Sequence, residues 1–243
     1  MAFVRKIIKK GLNTLGVDIK RFSKWEKDKY AWLKAYNINT IFDIGANEGQ
    51  FAQEIHEVFP NAFIYSFEPL NSCFERLQRN MDRVEKFKAF MFAIGNFNGE
   101  KHIYKNEFSP SSSILPMEEL HKEIFPFTQN MVKEKIAVRR LDDTVDEFNL
   151  HIKENILIKM DVQGYEDKVV FGGKDMFSKT SIIITEMSFV ELYRGQCLFD
   201  GIYCLLKELG YIYAGNVGQL VNPQNGRPIQ SDVIFLHKGR LNL

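Results

Sequence analysis

From Ile38 onward the chain alternates short apolar runs with amphipathic stretches, and this alternation narrows the available folds more than any other feature of the sequence. Residues 40–44, 63–67, 87–94, 156–160, 181–185 and 231–236 read as strands. Helical patterns fall between several of them, at 48–59, 72–81, 167–176 and 199–209. Such a pattern builds an α/β domain, a mostly parallel sheet with helices on both faces. The rhythm breaks between residues 99 and 138, where SPSSSILP and FPF read as an irregular insertion. The final run, SDVIFLHK, follows GNVGQLVNPQNGRP, a turn-rich linker too short for a crossover helix. A hairpin with an antiparallel last strand is therefore expected.

Residues 1–36 read as a separate basic helical segment ahead of a domain spanning 37–243. Within residues 1–29, nine lysines and arginines face three acids. Phe3, Val4, Ile7, Ile8, Leu12 and Leu15 recur at helical spacing, with Arg5, Lys6, Lys9 and Lys10 on the other side. Two readings stand: a helix packed on its own domain with a solvated basic face, or peripheral contact of residues 1–24 with an anionic membrane surface. The whole chain carries a net charge of only +1, so no global field draws it to nucleic acid. Its apolar runs fall short of the roughly 20 residues a membrane span needs. Lys9 and Lys10 interrupt the apolar start, so no signal-peptide core is expected. Cys73, Cys197 and Cys204 are odd in number and lack C-x-x-C spacing, which suits reduced thiols in a cytoplasmic protein, at most peripheral to the inner face of the membrane.

The chemistry concentrates at strand ends. TIFDIGANEGQFAQEI, residues 40–55, runs from a strand through Gly45 and Gly49 into a helix. In open α/β sheets, ligands bind at this carboxyl edge, where the strand order reverses. Glycine lets a ligand approach bare backbone, although tight packing alone would also account for it. Glu68 ends the second strand in FIYSFEP, 23 residues beyond Gly45, where an acid can accept both ribose hydroxyls of an adenosine-type ligand. A dinucleotide site wants a third glycine to seat its pyrophosphate, and GANEGQF lacks one. Asp43 and Glu48 would repel phosphate but suit the sulfonium and ammonium of S-adenosylmethionine, so the residues favour that cofactor.

LIKMDVQGYE, residues 157–166, is a second strand ending in an acid and a glycine, and by position it is the fourth parallel strand. Asp161, Glu166 and Glu186 (in IIITEMS) share its edge and are candidate catalytic carboxylates, able to take a hydroxyl proton during transfer. Each could equally be a helix cap or a solvated charge. No histidine cluster points to a metal, and only His121, inside the insertion, is kept as a candidate base. Tyr203 and Lys207, with Ser188 upstream, match the Tyr-x-x-x-Lys of short-chain dehydrogenases, which keeps an NAD(P) oxidoreductase open as an alternative.

FDIGANEGQF, FEP, AIGN (93–96), SSSIL (111–115), RLDDTVDEF (140–148), KMDVQGYE (159–166) and TEMSF (185–189) together resemble the FkbM family of S-adenosylmethionine-dependent methyltransferases. The resemblance covers roughly residues 39–236. It implies a Rossmann-like, seven-stranded sheet with an antiparallel last strand, and O-methylation of a hydroxyl on a sugar, glycan or other small natural product. Carried over, Asp43, Gly45, Ala46, Asn47 and Gly49 would serve the methionine part of the cofactor, Glu68 and Pro69 the ribose, and Ala93 and Ile94 the adenine. Asp161 would stand at the reaction centre, and Ser112 and Ser113 in the stretch over it. A non-catalytic binding module on the same fold is the remaining alternative.

Overall fold

The structure, a computed structural model, describes residues 29–240. The basic amphipathic helix expected within residues 1–24 lies outside them. From Lys34 onward the chain forms one compact unit. Its main sheet contains β1 (Thr40–Ile44), β2 (Phe63–Phe67), β3 (Phe87–Phe90), β7 (Ile156–Met160), β8 (Thr180–Ser188), β9 (Tyr211–Val221) and β10 (Pro228–His237), in the order β3-β2-β1-β7-β8-β10-β9. β1, β2, β3, β7 and β8 run parallel, and β10 lies antiparallel between β8 and β9. The order reverses between β1 and β7, so their carboxyl ends flank a crevice of the kind that takes ligands in open α/β sheets.

Near-continuous apolar sequence explains the centre. TIFDI of β1 is buried throughout, as expected of a parallel strand covered on both faces. Connecting helices supply the cover: α1 (Gln50–Val58), α2 (Asn71–Asn80), α4 (Leu141–Glu147), α5 (Glu166–Gly172), α6 (Lys174–Lys179) and α7 (Phe199–Glu208). Phe42, Phe67, Phe90, Phe92 and Phe148 stack into one aromatic cluster at the β1-β2-β3 side. Seven strands with an antiparallel last one match the expectation.

Four details differ. The run 87–94 is not one strand. β3 stops at Phe90, Phe92 folds back to within 5.5 Å of the Phe90 ring, and β4 (Ala93–Ile94) joins a different sheet. The stretch 99–138 is not wholly irregular, because β5 (Gly99–Asn106) and β6 (Met131–Arg139) pair antiparallel within it and make a three-stranded sheet, β4-β6-β5. Only the part between these strands, with the short α3 (Glu119–Ile124), departs from regular pairing. The helix expected over 167–176 is two, divided at Gly173, where a Cβ would press on Leu141 at 3.0 Å. The turn-rich linker is mostly strand. β9 runs to Val221, and the turn itself is confined to 222–227, closed by the Asn222 amide donating to the Arg227 carbonyl at 2.8 Å.

Gly172, at the end of α5, touches the second sheet's entry so closely that a Cβ there would lie 1.8 Å from the Gly95 carbonyl oxygen. Replacing a helical glycine by alanine ordinarily stabilises by about 1 kcal/mol. Here the backbone carbonyl cannot step aside, so Gly172→Ala is expected to destabilise the fold by about 2–4 kcal/mol, read from denaturant midpoints. A gain in stability would show that the contact relaxes.

Candidate active site

At the carboxyl edge between β1 and β7, the Gly45 and Ala46 amides both donate to the Phe67 carbonyl, at 3.0 Å each, which folds the turn under the end of β2. Gly45 has φ +77°, and a Cβ there would lie 1.9 Å from the Asp161 carbonyl oxygen. The glycine is thus required by the approach of β7 whether or not a ligand is bound. Gly49 (φ +90°) begins α1 close against Leu77.

Beyond the turn lies a cleft open to solvent. Gly45, Asn47, Glu68, Pro69, Ala93, Ile94, Ser112, Ser113 and Asp161, all expected at the site, line it, together with Phe67, Leu70, Cys73, Ile103, Ile114, Val162 and Gln163. Asp43, Ala46, Gly49, Glu166, Glu186 and His121 do not. The His121 ring packs between Phe125 and Tyr193, with Nδ1 3.2 Å from the Thr128 hydroxyl, and burial pushes its pKa down to about 4.

Glu68 is 6% exposed, and its two carboxylate oxygens accept the Asn47 and Leu70 amides at 2.9 and 2.8 Å. Burial still pushes its pKa up to about 7, against the pull of those amides. Each oxygen keeps a further lone pair, so the carboxylate can accept from a ligand as well.

Lys159, in the middle of β7, was not anticipated. Its ammonium donates to the Gly45 carbonyl at 3.0 Å and stands 3.5 Å from Asp43 and 3.7 Å from Asp161. Burial opposes its charge, but the Asp161 and Asp43 carboxylates outweigh that and hold its pKa above the usual lysine value. Asp43 is fully buried beneath the turn. Its Oδ2 accepts from Ser66 at 3.3 Å, whereas the 3.5 Å approach of Lys159 to Oδ1 is an ion pair too long for a good hydrogen bond. Burial raises the Asp43 pKa.

Gln163 is the second unanticipated residue. It holds a left-handed φ of +54°, unusual for a non-glycine residue. Its amide nitrogen donates to Asp161 at 2.7 Å and to Glu186 at 2.8 Å, while its amide oxygen accepts from the buried Tyr193 hydroxyl at 2.8 Å. Two carboxylates on one side fix which way the amide points. Glu186 accepts a second amide, from Gln230, on the same oxygen at 2.7 Å. Burial, followed by the charges of Asp161, Glu166 and Asp232, raises the Glu186 pKa well above the usual range. Glu166 turns inward, accepting the Val162 and Gly164 amides at 3.1 and 3.2 Å, and burial pushes its pKa up to about 7. Overhead, Ser109 donates to the Asn47 side chain at 3.0 Å and Ser113 to the Gln163 carbonyl at 2.6 Å. The insertion is thereby tied to both halves of the cleft.

A profile of the Methyltransferase FkbM domain matches residues 43–213, a span that contains both halves of the cleft. The chain belongs to the FkbM methyltransferase family. Among curated proteins it is 34% identical to the 2-O-methyltransferase NoeI of Sinorhizobium fredii NGR234, over 68% of this chain and 70% of NoeI. It is 27% identical to the methyltransferase sdnD of Sordaria araneosa, over 54% of this chain and 59% of that one. A crystal structure of an FkbM methyltransferase from Methylobacillus flagellatus KT shares its fold, with a TM-score of 0.52 at 13% identity over 83% of this chain. The chain spans 44% of the length of that larger structure.

As an FkbM methyltransferase the chain has no use for the dehydrogenase pattern. Tyr203 and Lys207 lie on α7, with the Lys207 ammonium over the Tyr203 ring at 5.9 Å, and neither lines the cleft. That reading is set aside. The cleft suits the family's chemistry in its own right. Glu68 and Asp161 are its charged residues, no lysine or arginine is among the described residues lining it, and its remaining wall is largely apolar. An adenosine ligand carrying positive charge fits such a wall, and one carrying a pyrophosphate does not. Among the described residues no helix is long and apolar enough to cross a membrane.

Because the Glu68 pKa is raised from 4.5 to about 7 on folding, the native state holds that proton more tightly than the unfolded chain. Its contribution to stability is complete below about pH 4.5 and is lost as pH rises through about 7. Glu68→Gln is expected to flatten the decline in thermal stability across that window. Glu166 titrates in the same window, so combining both substitutions should flatten it further. Superimposable wild-type and variant profiles would contradict the assignment.

Proposed function

We propose that this FkbM methyltransferase is an S-adenosylmethionine-dependent O-methyltransferase that acts on a hydroxyl of a sugar, glycan or related natural product. The observation that carries the reading is the charge of the cleft: two carboxylates, Glu68 and Asp161, with no opposing cation on the wall. Identity to a protein named as a 2-O-methyltransferase supports oxygen as the acceptor atom.

When bound, S-adenosylmethionine supplies an electrophilic methyl group, transferred with the carbon–sulfur bonding pair left on sulfur. In this reading Glu68 accepts the ribose hydroxyls, while Phe67, Leu70, Ala93, Ile94 and Ile103 exclude water around the adenine. Asp161 takes the proton of the acceptor hydroxyl as its oxygen becomes bonded to carbon. The Lys159 ammonium stands 3.7 Å from Asp161 and the Gln163 amide donates to it at 2.7 Å, which fixes where its carboxylate points, so the base is oriented before the acceptor arrives. Glu186, on the other side of that amide, is the second carboxylate facing the acceptor. We further read residues 1–36 as a basic segment distinct from the 37–243 catalytic domain of a cytoplasmic protein, with two roles open to residues 1–24: packing on their own domain with the basic face in solvent, or peripheral contact with the inner face of the membrane. Only the sequence pattern supports that part.

Calorimetric titration with S-adenosylmethionine and, separately, NADH tests the cofactor. S-adenosylmethionine alone is expected to bind, with affinity falling at least tenfold in Glu68→Ala. Asp161→Asn is expected to retain binding while losing methyl transfer by two or more orders of magnitude. Ionised Glu68 is the better acceptor for ribose hydroxyls, so binding near pH 6.5 should release protons, seen as a dependence of the heat on buffer ionisation. Binding of NADH in preference would overturn the reading.

A further inference from the structure

The Gln163 side chain reaches three partners, and one of them stands outside the cleft. Its nitrogen donates to Asp161 at 2.7 Å and to Glu186 at 2.8 Å, and its oxygen accepts from the Tyr193 hydroxyl at 2.8 Å. Tyr193 itself does not line the cleft. We propose that Tyr193 is a positioning residue for methyl transfer: by holding the oxygen end of the Gln163 amide it aims the nitrogen end, and with it the Asp161 carboxylate, at the reacting hydroxyl. The inference rests on the methyl-transfer reading, in which Asp161 is the base, and adds the residue that sets the direction of that base.

The first argument is hydrogen-bond accounting. A glutamine amide offers two N–H donors at one end and a carbonyl at the other. Both donors of Gln163 go to carboxyl groups, so its carbonyl faces away from them, and there it receives the Tyr193 hydroxyl. Turned over, the amide would set its oxygen against the Asp161 carboxylate. The hydroxyl keeps its proton to give, because burial and then the charges of Glu186, Asp161 and Glu166 raise the Tyr193 pKa well above the ordinary tyrosine value. Its other acceptor, the Ser111 carbonyl oxygen, is farther away at 3.2 Å, so the single proton favours Gln163. Without that hydroxyl the Gln163 carbonyl loses its donor, and the amide is free to turn away from Asp161.

The second argument is rigidity. Tyr193 is buried in an apolar cluster with Met117, Ile124, Leu192 and Ile229, its ring 5.3 Å from that of His121. Its backbone is pinned on both sides. The Leu192 and Tyr193 amides donate to the Gln196 side-chain oxygen at 2.6 Å each, and the Arg194 amide donates to the Pro116 carbonyl at 2.7 Å. The loop carrying Gln163 rests directly on this support: at Gly164 (φ +94°) a Cβ would lie 2.8 Å from the Gln196 Cβ and 3.4 Å from that of Tyr193. Gln163 is different, a long side chain on a short, half-buried loop, and ordering it costs rotamer freedom. A fixed phenol at its far end supplies the order that its own backbone does not.

The charge of the cofactor gives a readout that needs no acceptor. S-adenosylmethionine carries a sulfonium beside the methyl carbon, and S-adenosylhomocysteine does not. A base within hydrogen-bond reach of a hydroxyl that is itself roughly 3 Å from that carbon stands near enough to favour the charged ligand. Affinities for both ligands are measured by calorimetry on the full chain. Asp161→Asn is expected to lower the ratio of S-adenosylmethionine to S-adenosylhomocysteine affinity at least fivefold. Tyr193→Phe, which keeps the ring and removes only the hydroxyl, should lower it at least threefold. Gln163→Asn tolerates the left-handed φ but is too short to join all three partners, so it should match Tyr193→Phe without touching the buried ring. Tyr193→Phe added to Gln163→Asn should change the ratio no further. If the wild type binds neither ligand, the cofactor reading falls and takes the proposal with it. If Asp161→Asn leaves the ratio unchanged, the base assignment falls, again with the proposal. The positioning role alone is overturned if Asp161→Asn lowers the ratio but Tyr193→Phe weakens both ligands equally or acts undiminished in the Gln163→Asn background. An unchanged ratio in Gln163→Asn overturns it too, even should Tyr193→Phe fold poorly.

Discussion

The architecture of the site depends on one buried ammonium. Lys159 sits mid-strand in ILIKM, an otherwise apolar segment, and its side chain is 12% exposed. An unpaired charge there would cost several kcal/mol. It is held instead by the Gly45 carbonyl and by the carboxylates of Asp43 in β1 and Asp161 just past the end of β7. The same contacts set the width of the sheet's switch point. Gly45 cannot move toward β7, because the Asp161 carbonyl already occupies the space of a Cβ, and its own carbonyl is anchored from below. The carboxyl edge of the sheet is thus held in place because a charge had to be neutralised.

Rigidity spreads outward through a chain of buried hydrogen bonds to carboxyl groups, in which one group often fixes two partners. Glu166 gathers the amides of the 162–164 loop, that loop presents Gln163 in its left-handed conformation, and Gln163 in turn ties Asp161 to Glu186. The cover is held differently. Ser109 and Ser113 make neutral hydrogen bonds from the insertion to Asn47 and to the Gln163 carbonyl. Such bonds are worth about 1 kcal/mol each. Lifting the cover breaks these two separate bonds, whereas disturbing the floor breaks a linked set, the arrangement needed by a site that must admit a ligand yet keep its carboxyl groups oriented.

Much of the fold was legible because buried parallel strands announce themselves as apolar runs: β1, β2 and β7 fall where the sequence places them. The second sheet was not. β5 and β6 bury few side chains, chiefly Ile103, Ile136 and Val138, and the rest of GEKHIYKN and MVKEKIAVR is polar enough to read as loop. Their pairing with each other and with β4 is a tertiary fact, carried by backbone bonds that leave little trace in composition. The break at Phe90 was hidden for the opposite reason. Phe92 is as apolar as a strand residue but spends its ring on the aromatic cluster rather than on the sheet.

Within the site, acids at strand ends were readable, whereas Gln163, Tyr193 and Gln230 were not, since a glutamine or tyrosine has no functional signature until its partners are known. Lys159 belongs to a different class. A lysine inside a strand flanked by Ile, Leu and Met violates the pattern of its own element, and so does Asp43 inside TIFDI. Each violation alone suggests an exposed edge or a misread strand. Together they are informative, because two adjacent parallel strands that each carry one opposite charge can bury both only if the charges stand in register. Aligning ILIKM with TIFDI places Lys159 opposite Asp43, the pairing observed. Paired exceptions in neighbouring apolar runs therefore carry both the strand adjacency and the location of the site, information that neither run holds by itself.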